Sequence, residues 1–326
     1  MKLFGKKTSS IIFLIPILIT IGMVILFHNQ ASIYFKQVVA FYYVFKGDQD
    51  YQKRQYQNAI NNYNYALQLY PEHSKAQYNL GNIYTTFEDF YSAIGCYEKT
   101  LNIQPNYINA RINLGILLSE QIHDIDRAIN EYINAVNSNP GKIKIPFLYD
   151  NSKYLKVSKA IAYYNLGLAY RAKSLLYGYD SISSRGFLMN AADNYKKSLE
   201  IEPNNYDARY NLALTLHILG NYSEALQEYC KAIKIAPLNY DVHYNLALLL
   251  KQMGRYQDSL QELEQASLIL SAKGESDKTQ YVYQILGDVR LKANIKREKK
   301  NRDKDKTDNQ EVPFDEIIKS CDICKK

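Results

Sequence analysis

Five asparagines stand in matching sequence contexts: Asn79, Asn113, Asn165, Asn211 and Asn245. Each is followed by Leu and then by Gly or Ala. The first two are 34 residues apart, and so are the last two. A carboxamide carries a donor and an acceptor together, the same pair that an extended backbone presents as N–H and C=O. A row of such groups could hold a peptide largely regardless of its side chains. The alternative use is internal: the same row could keep a groove wet or bond a neighbouring segment. Tyr78, Tyr164, Tyr210 and Tyr244 precede four of the five, and either add aromatic contact for a ligand or pack between segments.

The rest of the chemical inventory is sparse. Cys321 and Cys324 form a Cys-x-x-Cys pair, which suits half of a tetrahedral metal site, a disulfide or two inert thiols. Cys96 and Cys230 fall inside predicted helices and read as small packing residues. The five histidines lack metal-ligand spacing, and neither a phosphate-binding glycine loop nor a nucleophile elbow occurs. The reading is therefore non-enzymatic, with no cofactor and no small-molecule substrate. Lys plus Arg is 40 against 33 Asp plus Glu, but much of the excess sits at the two ends. A body of mixed sign argues against a nucleic-acid partner.

What positions the asparagines is a periodic scaffold. Gly47, Gly81 and Gly115 are spaced by 34, as are Pro71 and Pro105, Pro203 and Pro237, and Ala213 and Ala247. Within each period a small residue stands at position 8, Ala at 20, an aromatic at 24, Ala at 27 and Pro at 32, with apolar residues between them at helical spacing. Two short helices must pack closely where only Gly or Ala is admitted. This pattern resembles the tetratricopeptide repeat family over most of residues 40–273. The resemblance implies an all-α, right-handed solenoid whose first helices line a concave face, with position 6, the asparagine column, pointing into the groove. The asparagine row is itself similar to the ladder of the O-linked N-acetylglucosamine transferase superhelix, whose catalytic half has no counterpart here. The terminal-carboxylate clamp of another subclass is not carried over, because Lys75 gives way to Asn109, Asp207 and Asp241 in later copies. Some membrane-anchored members end in a knuckle with two Cys pairs, of which this chain has one.

Copies 1–3 occupy 40–140, with one extra residue in the turn Gln121–Asp126. A loop over 141–158, rich in breakers, interrupts the period. Copies 4–6 occupy 159–273, the fourth carrying a 12-residue excess with a turn near Gly178–Gly186. Both interruptions are candidate contact sites. A capping helix is predicted over 280–296, with Tyr281, Val282, Ile285, Leu286 and Val289 on its inner face. Residues 297–326 read as a disordered charged tail that ends in the Cys pair, with Val312–Ile318 as a candidate linear motif.

The amino end suggests a membrane. After a basic flank, 1–10, the stretch Ile11–Phe27 has no charge. At about 1.5 Å per residue it reaches near the lower limit for a bilayer. A cleaved signal peptide shares that layout. Residues 28–39 read as a juxtamembrane segment. The expected whole is about six helix pairs and a cap behind one transmembrane helix. It is expected to be a single-pass, uncleaved signal anchor with its repeats outside the cytoplasm, holding a protein or peptide partner in the concave groove as a scaffold. The alternative is a thiol- or metal-dependent regulator acting through Cys321 and Cys324.

Overall fold

The computed structural model describes residues 30–139, 144–145, 149–150, 152–178 and 181–304, with side chains described as far as 294. Among these residues the chain is an all-α helical repeat with thirteen helices. The only strand pairing described is a two-residue antiparallel match of β1 (Lys144–Ile145) with β2 (Tyr149–Asp150). The chain divides into two compact units, Met1–Leu117 and Leu118–Lys326.

The first unit starts with α1, a single helix over residues 30–52. No Gly or Pro interrupts this stretch before Gly47, so nothing stops the helix between residue 30 and the first repeat. Ala40 and Val44 face inward. Phe35, Val38, Tyr42 and Phe45 lie on the outer side, each more than half exposed. Phe41 meets His73 edge-on at 4.6 Å, and Tyr43 meets Tyr65 at 4.4 Å. Then follow α2 (Tyr56–Leu69), α3 (Ser74–Thr86), α4 (Phe90–Ile103) and α5 (Ile108–Glu120). The caps follow sequence: His73 accepts from Ala76 N–H at the start of α3, and Asp89 from Ser92 N–H at the start of α4.

The second unit holds α6 (Ile125–Asn137), α7 (Ser152–Leu175), α8 (Ile182–Ile201), α9 (Tyr206–Ile218), α10 (Tyr222–Ile235), α11 (Tyr240–Gln252), α12 (Tyr256–Ala272) and α13 (Ser276–Lys304). Asp124, Ser181, Asn205 and Asn239 cap α6, α8, α9 and α11. Three boundaries differ from the sequence reading. Residues 152–158 are the first turns of α7 rather than loop. The fourth repeat's helices have 24 and 20 residues where α2–α6 and α9–α12 have 13 to 17; α7 takes part of its extra length from residues 152–158, and the 12-residue excess supplies the rest. Its turn is correspondingly short, and Gly186 lies within α8. The last helix begins before 280 and continues through Lys304, into the expected tail. The Lys, Arg and Glu of that stretch are good helix formers, so high charge did not preclude helix.

One packing rule explains the small residue at position 8. A Cβ built on Gly47, Gly81 or Gly167 would stand 2.6 Å from the ring of Tyr63, Tyr97 or Tyr195, respectively. The position-24 tyrosine lies flat on the position-8 glycine, and each of these rings is almost wholly buried. Cys96 and Cys230 are buried as well.

The expected single-pass membrane location is corrected: no helix among the described residues is long and apolar enough to cross a membrane. The stretch 11–27, on which that expectation rested, lies outside the described residues, as do Cys321, Cys324, Val312–Ile318 and most of the 141–151 loop. The exposed aromatic face of α1 thus carries no membrane assignment.

Candidate functional site

The asparagine column lies on the first helix of each pair and is turned toward the protein rather than to bulk solvent. Asn211 is buried and the other four are half-buried. Their amide donors are occupied by neighbours. Asn113 Nδ2 donates to Tyr78 OH at 3.3 Å, Asn211 to Tyr164 OH at 3.3 Å, and Asn245 to Tyr210 OH at 2.8 Å. In each case the partner is the position-5 tyrosine of the repeat before. The amides of Asn165, Asn211 and Asn245 also bond the carbonyl four residues back, those of Ile161, Asp207 and Asp241. Tyr78, Tyr164 and Tyr210, each preceding an asparagine of the column, are thus inter-repeat partners. This geometry leaves mainly the Oδ1 acceptors of the row to face a ligand.

In the first unit the column joins a polar cluster built on Asp48. Its carboxylate takes a hydrogen bond from Tyr63 OH at 2.8 Å, one from Asn79 Nδ2 at 2.7 Å, and an ion pair from Lys75 Nζ at 2.6 Å. Asp50 receives a hydrogen bond from Asn62 Nδ2 at 2.7 Å. Burial and the Asp48 carboxylate together push the Tyr63 phenol well above its usual range. One repeat on, Tyr97 OH donates to Asn82 Oδ1 at 2.9 Å and lies 3.1 Å from Thr85 Oγ1. Burial raises Tyr97 to about 12. Two cavities of about 220 and 380 Å³ share Tyr51 and Asn82. Asn79 walls the first and Asn113 the second. Both cavities are lined by polar and aromatic side chains, and they adjoin at Tyr51 and Asn82.

The second unit differs at one position. Position 9 is Asp48 and Asn82 in the first two repeats but Leu168 and Leu214 in the fourth and fifth. The hydroxyls of Tyr195 and Tyr229 are accordingly buried without a hydrogen-bond partner among the described residues. Arg171 occupies the same face, donating Nη1 to Asn211 Oδ1 at 2.7 Å. Burial raises the phenols of Tyr164, Tyr195, Tyr210 and Tyr229, and the Arg171 charge partly offsets this at all four. Sequence reasoning missed Arg171. The signal was available, since a lone arginine stands there at position 12 of its repeat. No group of three or more His, Cys, Asp or Glu among the described residues could hold a metal ion.

Comparison with known proteins agrees with the fold. Tetratricopeptide repeat models match residues 46–108, 194–227, 215–254 and 240–269, so the chain carries tetratricopeptide repeats. No curated protein matches it in sequence. Among solved structures it is similar to PilW, described as a widely conserved type IV pilus biogenesis factor. That match has 17% identity and a TM-score of 0.55, covering 75% of this chain and 98% of that one. Pseudomonas aeruginosa PilF gives 18% identity and a TM-score of 0.55, covering 76% and 98%. YrrB, described as a TPR protein with an unusual peptide-binding site, gives 16% and 0.50, covering 64% and 91%. At these identities the likeness concerns the fold. The finer similarity to the transferase ladder rests on the asparagine row alone.

Proposed function

We propose that the chain is a scaffold that takes an extended peptide segment of a partner protein along the face of its asparagine column. The observation behind this reading is the pair of adjacent cavities in the first unit, about 220 and 380 Å³, walled by Asn79, Asn82, Asn113, Tyr51 and Tyr78. They are lined by fixed polar groups on rigid helices, as a site for an extended chain should be. The asparagine donors are already committed within the protein, to tyrosine hydroxyls, backbone carbonyls and the Asp48 carboxylate, so the peptide's N–H groups bond the Oδ1 acceptors, of which that of Asn211 is shared with Arg171. The peptide-binding description of YrrB is consistent with such a use of the same fold.

The experiment must separate binding from structure, because Asn245 also ties two repeats together. In a Tyr210→Phe background the inter-repeat bond is already lost. If Asn245 binds peptide, adding Asn245→Ala there lowers retention of a random decapeptide pool severalfold while far-UV circular dichroism stays unchanged. If the amide only ties repeats, the second substitution changes nothing, and the proposal fails for this residue.

A further inference from the structure

A repeat array stays soluble when the outer face of its terminal helix is polar. The last helix follows that rule. Val282, Leu286 and Val289 of α13 are buried, while Asp288, Arg290 and Lys292 form ion pairs at the surface. The first helix, α1, does not. At about 100° per residue, Phe35, Val38, Tyr42 and Phe45 stand on the side opposite the buried Ala40 and Val44. They are 70, 66, 60 and 59% exposed, and no described residue covers them. Their spacing is 3, 4 and 3 residues, the a/d seam of a heptad rather than the broader stripe that packs on a globular core. Lys36 and Lys46 are the only charges between residues 30 and 47, and both lie off the seam.

We propose that α1 pairs with α1 of a second copy of this chain across a two-fold axis, each copy supplying Phe35, Val38, Tyr42 and Phe45. Such a contact needs a self-complementary surface, and an uncharged row of apolar knobs at heptad spacing is one. The flanking positions, Tyr34, Val39, Phe41 and Lys46, hold no charge pattern that would select a different chain. The area suffices. A buried Phe or Tyr covers about 150–250 Å². Tyr34 and Phe41 are more than half exposed as well, which makes five such rings and one valine per copy. Two copies can therefore withdraw about 1,200 Å² from water, the lower edge of a specific interface. An interface of that size gives a reversible dimer, seen at micromolar rather than nanomolar concentration.

Analytical ultracentrifugation of the full chain across the micromolar range tests the pairing. The expected result is a shift from the mass of one chain to that of two, with no larger species, since a two-fold contact closes on itself. Val38→Lys combined with Tyr42→Lys should weaken the association about a hundredfold or more, because each change enters the interface twice and sets like charges face to face. Tyr91→Lys, at a residue 81% exposed on α4, should leave it intact. Far-UV circular dichroism should be unchanged in both. Should the doubly substituted chain lose helix, hydrogen–deuterium exchange of the unaltered chain decides: amides of residues 35–45 should gain protection as protein concentration rises. A one-chain mass at every concentration overturns the proposal, and is the result if the chain's own residues 11–27 cover the seam. A two-chain mass that survives the double substitution overturns it too, as does a series of larger species. Protection of α1 that responds to added phosphatidylcholine vesicles and not to protein concentration also overturns it, and gives the seam to a lipid surface.

Discussion

The two kinds of position-24 tyrosine should respond oppositely to the same substitution. Tyr63→Phe removes a hydroxyl that donates to the Asp48 carboxylate at 2.8 Å. A hydrogen bond to a charged acceptor contributes about 1.5–3 kcal/mol. Asp48 keeps Lys75 and Asn79, so the lower half of that range is expected. Tyr195→Phe removes a hydroxyl that is equally buried but has no partner among the described residues. Its removal forfeits no bond and relieves a desolvation cost on the order of 1–3 kcal/mol. The expected change is therefore zero or a gain. Because the two tyrosines lie in different units, hydrogen–deuterium exchange of the full chain is the suitable assay, since it reads local opening separately in each region. Tyr63→Phe should lower amide protection around α2 and α3 roughly tenfold or more, at about 1.4 kcal/mol per factor of ten. Protection around α7 and α8 should hold or rise in Tyr195→Phe. Comparable losses in the two variants would refute the assignment of partners to position 9.

Glu228→Ala should destabilise the second unit by about 3–5 kcal/mol, because it strands Arg209, which is only 12% exposed and pairs with Glu228 at 2.6 Å; urea unfolding of the variant checks this. His243 tests pH. Burial, its largest influence, would lower it, yet bonds to Glu262 at 2.6 Å and to the Pro237 carbonyl at 2.9 Å hold it above its ordinary 6.5. Its contribution is then fully present below that value and is lost as pH rises through the folded-state value. The stability gap between the protein and His243→Gln should shrink as pH climbs from 6, whereas a gap flat with pH contradicts the pairing. Glu88 sits at φ 60° in the turn between α3 and α4, where the fifth repeat has Gly220 at φ 81°. Relief of about 1 kcal/mol is expected for Glu88→Gly, seen as a higher melting temperature.

The repeat was legible because its physics is local. Gly81 and Tyr97 go together because a Cβ at that glycine would meet the ring, and the spacing of 16 residues recurs at Gly47 and Tyr63, while the fifth repeat admits Ala213 with Tyr229 at the same spacing. Helix ends were legible where a cap was present, as at Asp89 and Asn205, and less so in α7, where the sequence offers Asn151 and Pro146 as breakers and helix nonetheless begins at Ser152. The asparagine column was visible as a set, with peptide binding and bonding to a neighbouring repeat both left open for it. Whether Asn211 meets a peptide or Tyr164 depends on side-chain reach between successive repeats, which a spacing does not encode. The polarity of position 9 could have been read by aligning Asp48, Asn82, Leu168 and Leu214. Its meaning required knowing that a tyrosine hydroxyl arrives there.

The glycine beneath the ring has a consequence for anyone redesigning these repeats. Gly81→Ala alone drives a methyl group into Tyr97, an overpacking on the order of 1–3 kcal/mol, while Tyr97→Leu alone leaves a hollow. The sixth repeat carries the exchanged combination, Ala247 and Leu263, within one cluster, fully buried and without a ring. The fifth repeat, in turn, holds Ala213 and Tyr229 together, both fully buried in one cluster, so the pairing of small residue and ring is set repeat by repeat, and a library should sample the two sites jointly within each repeat.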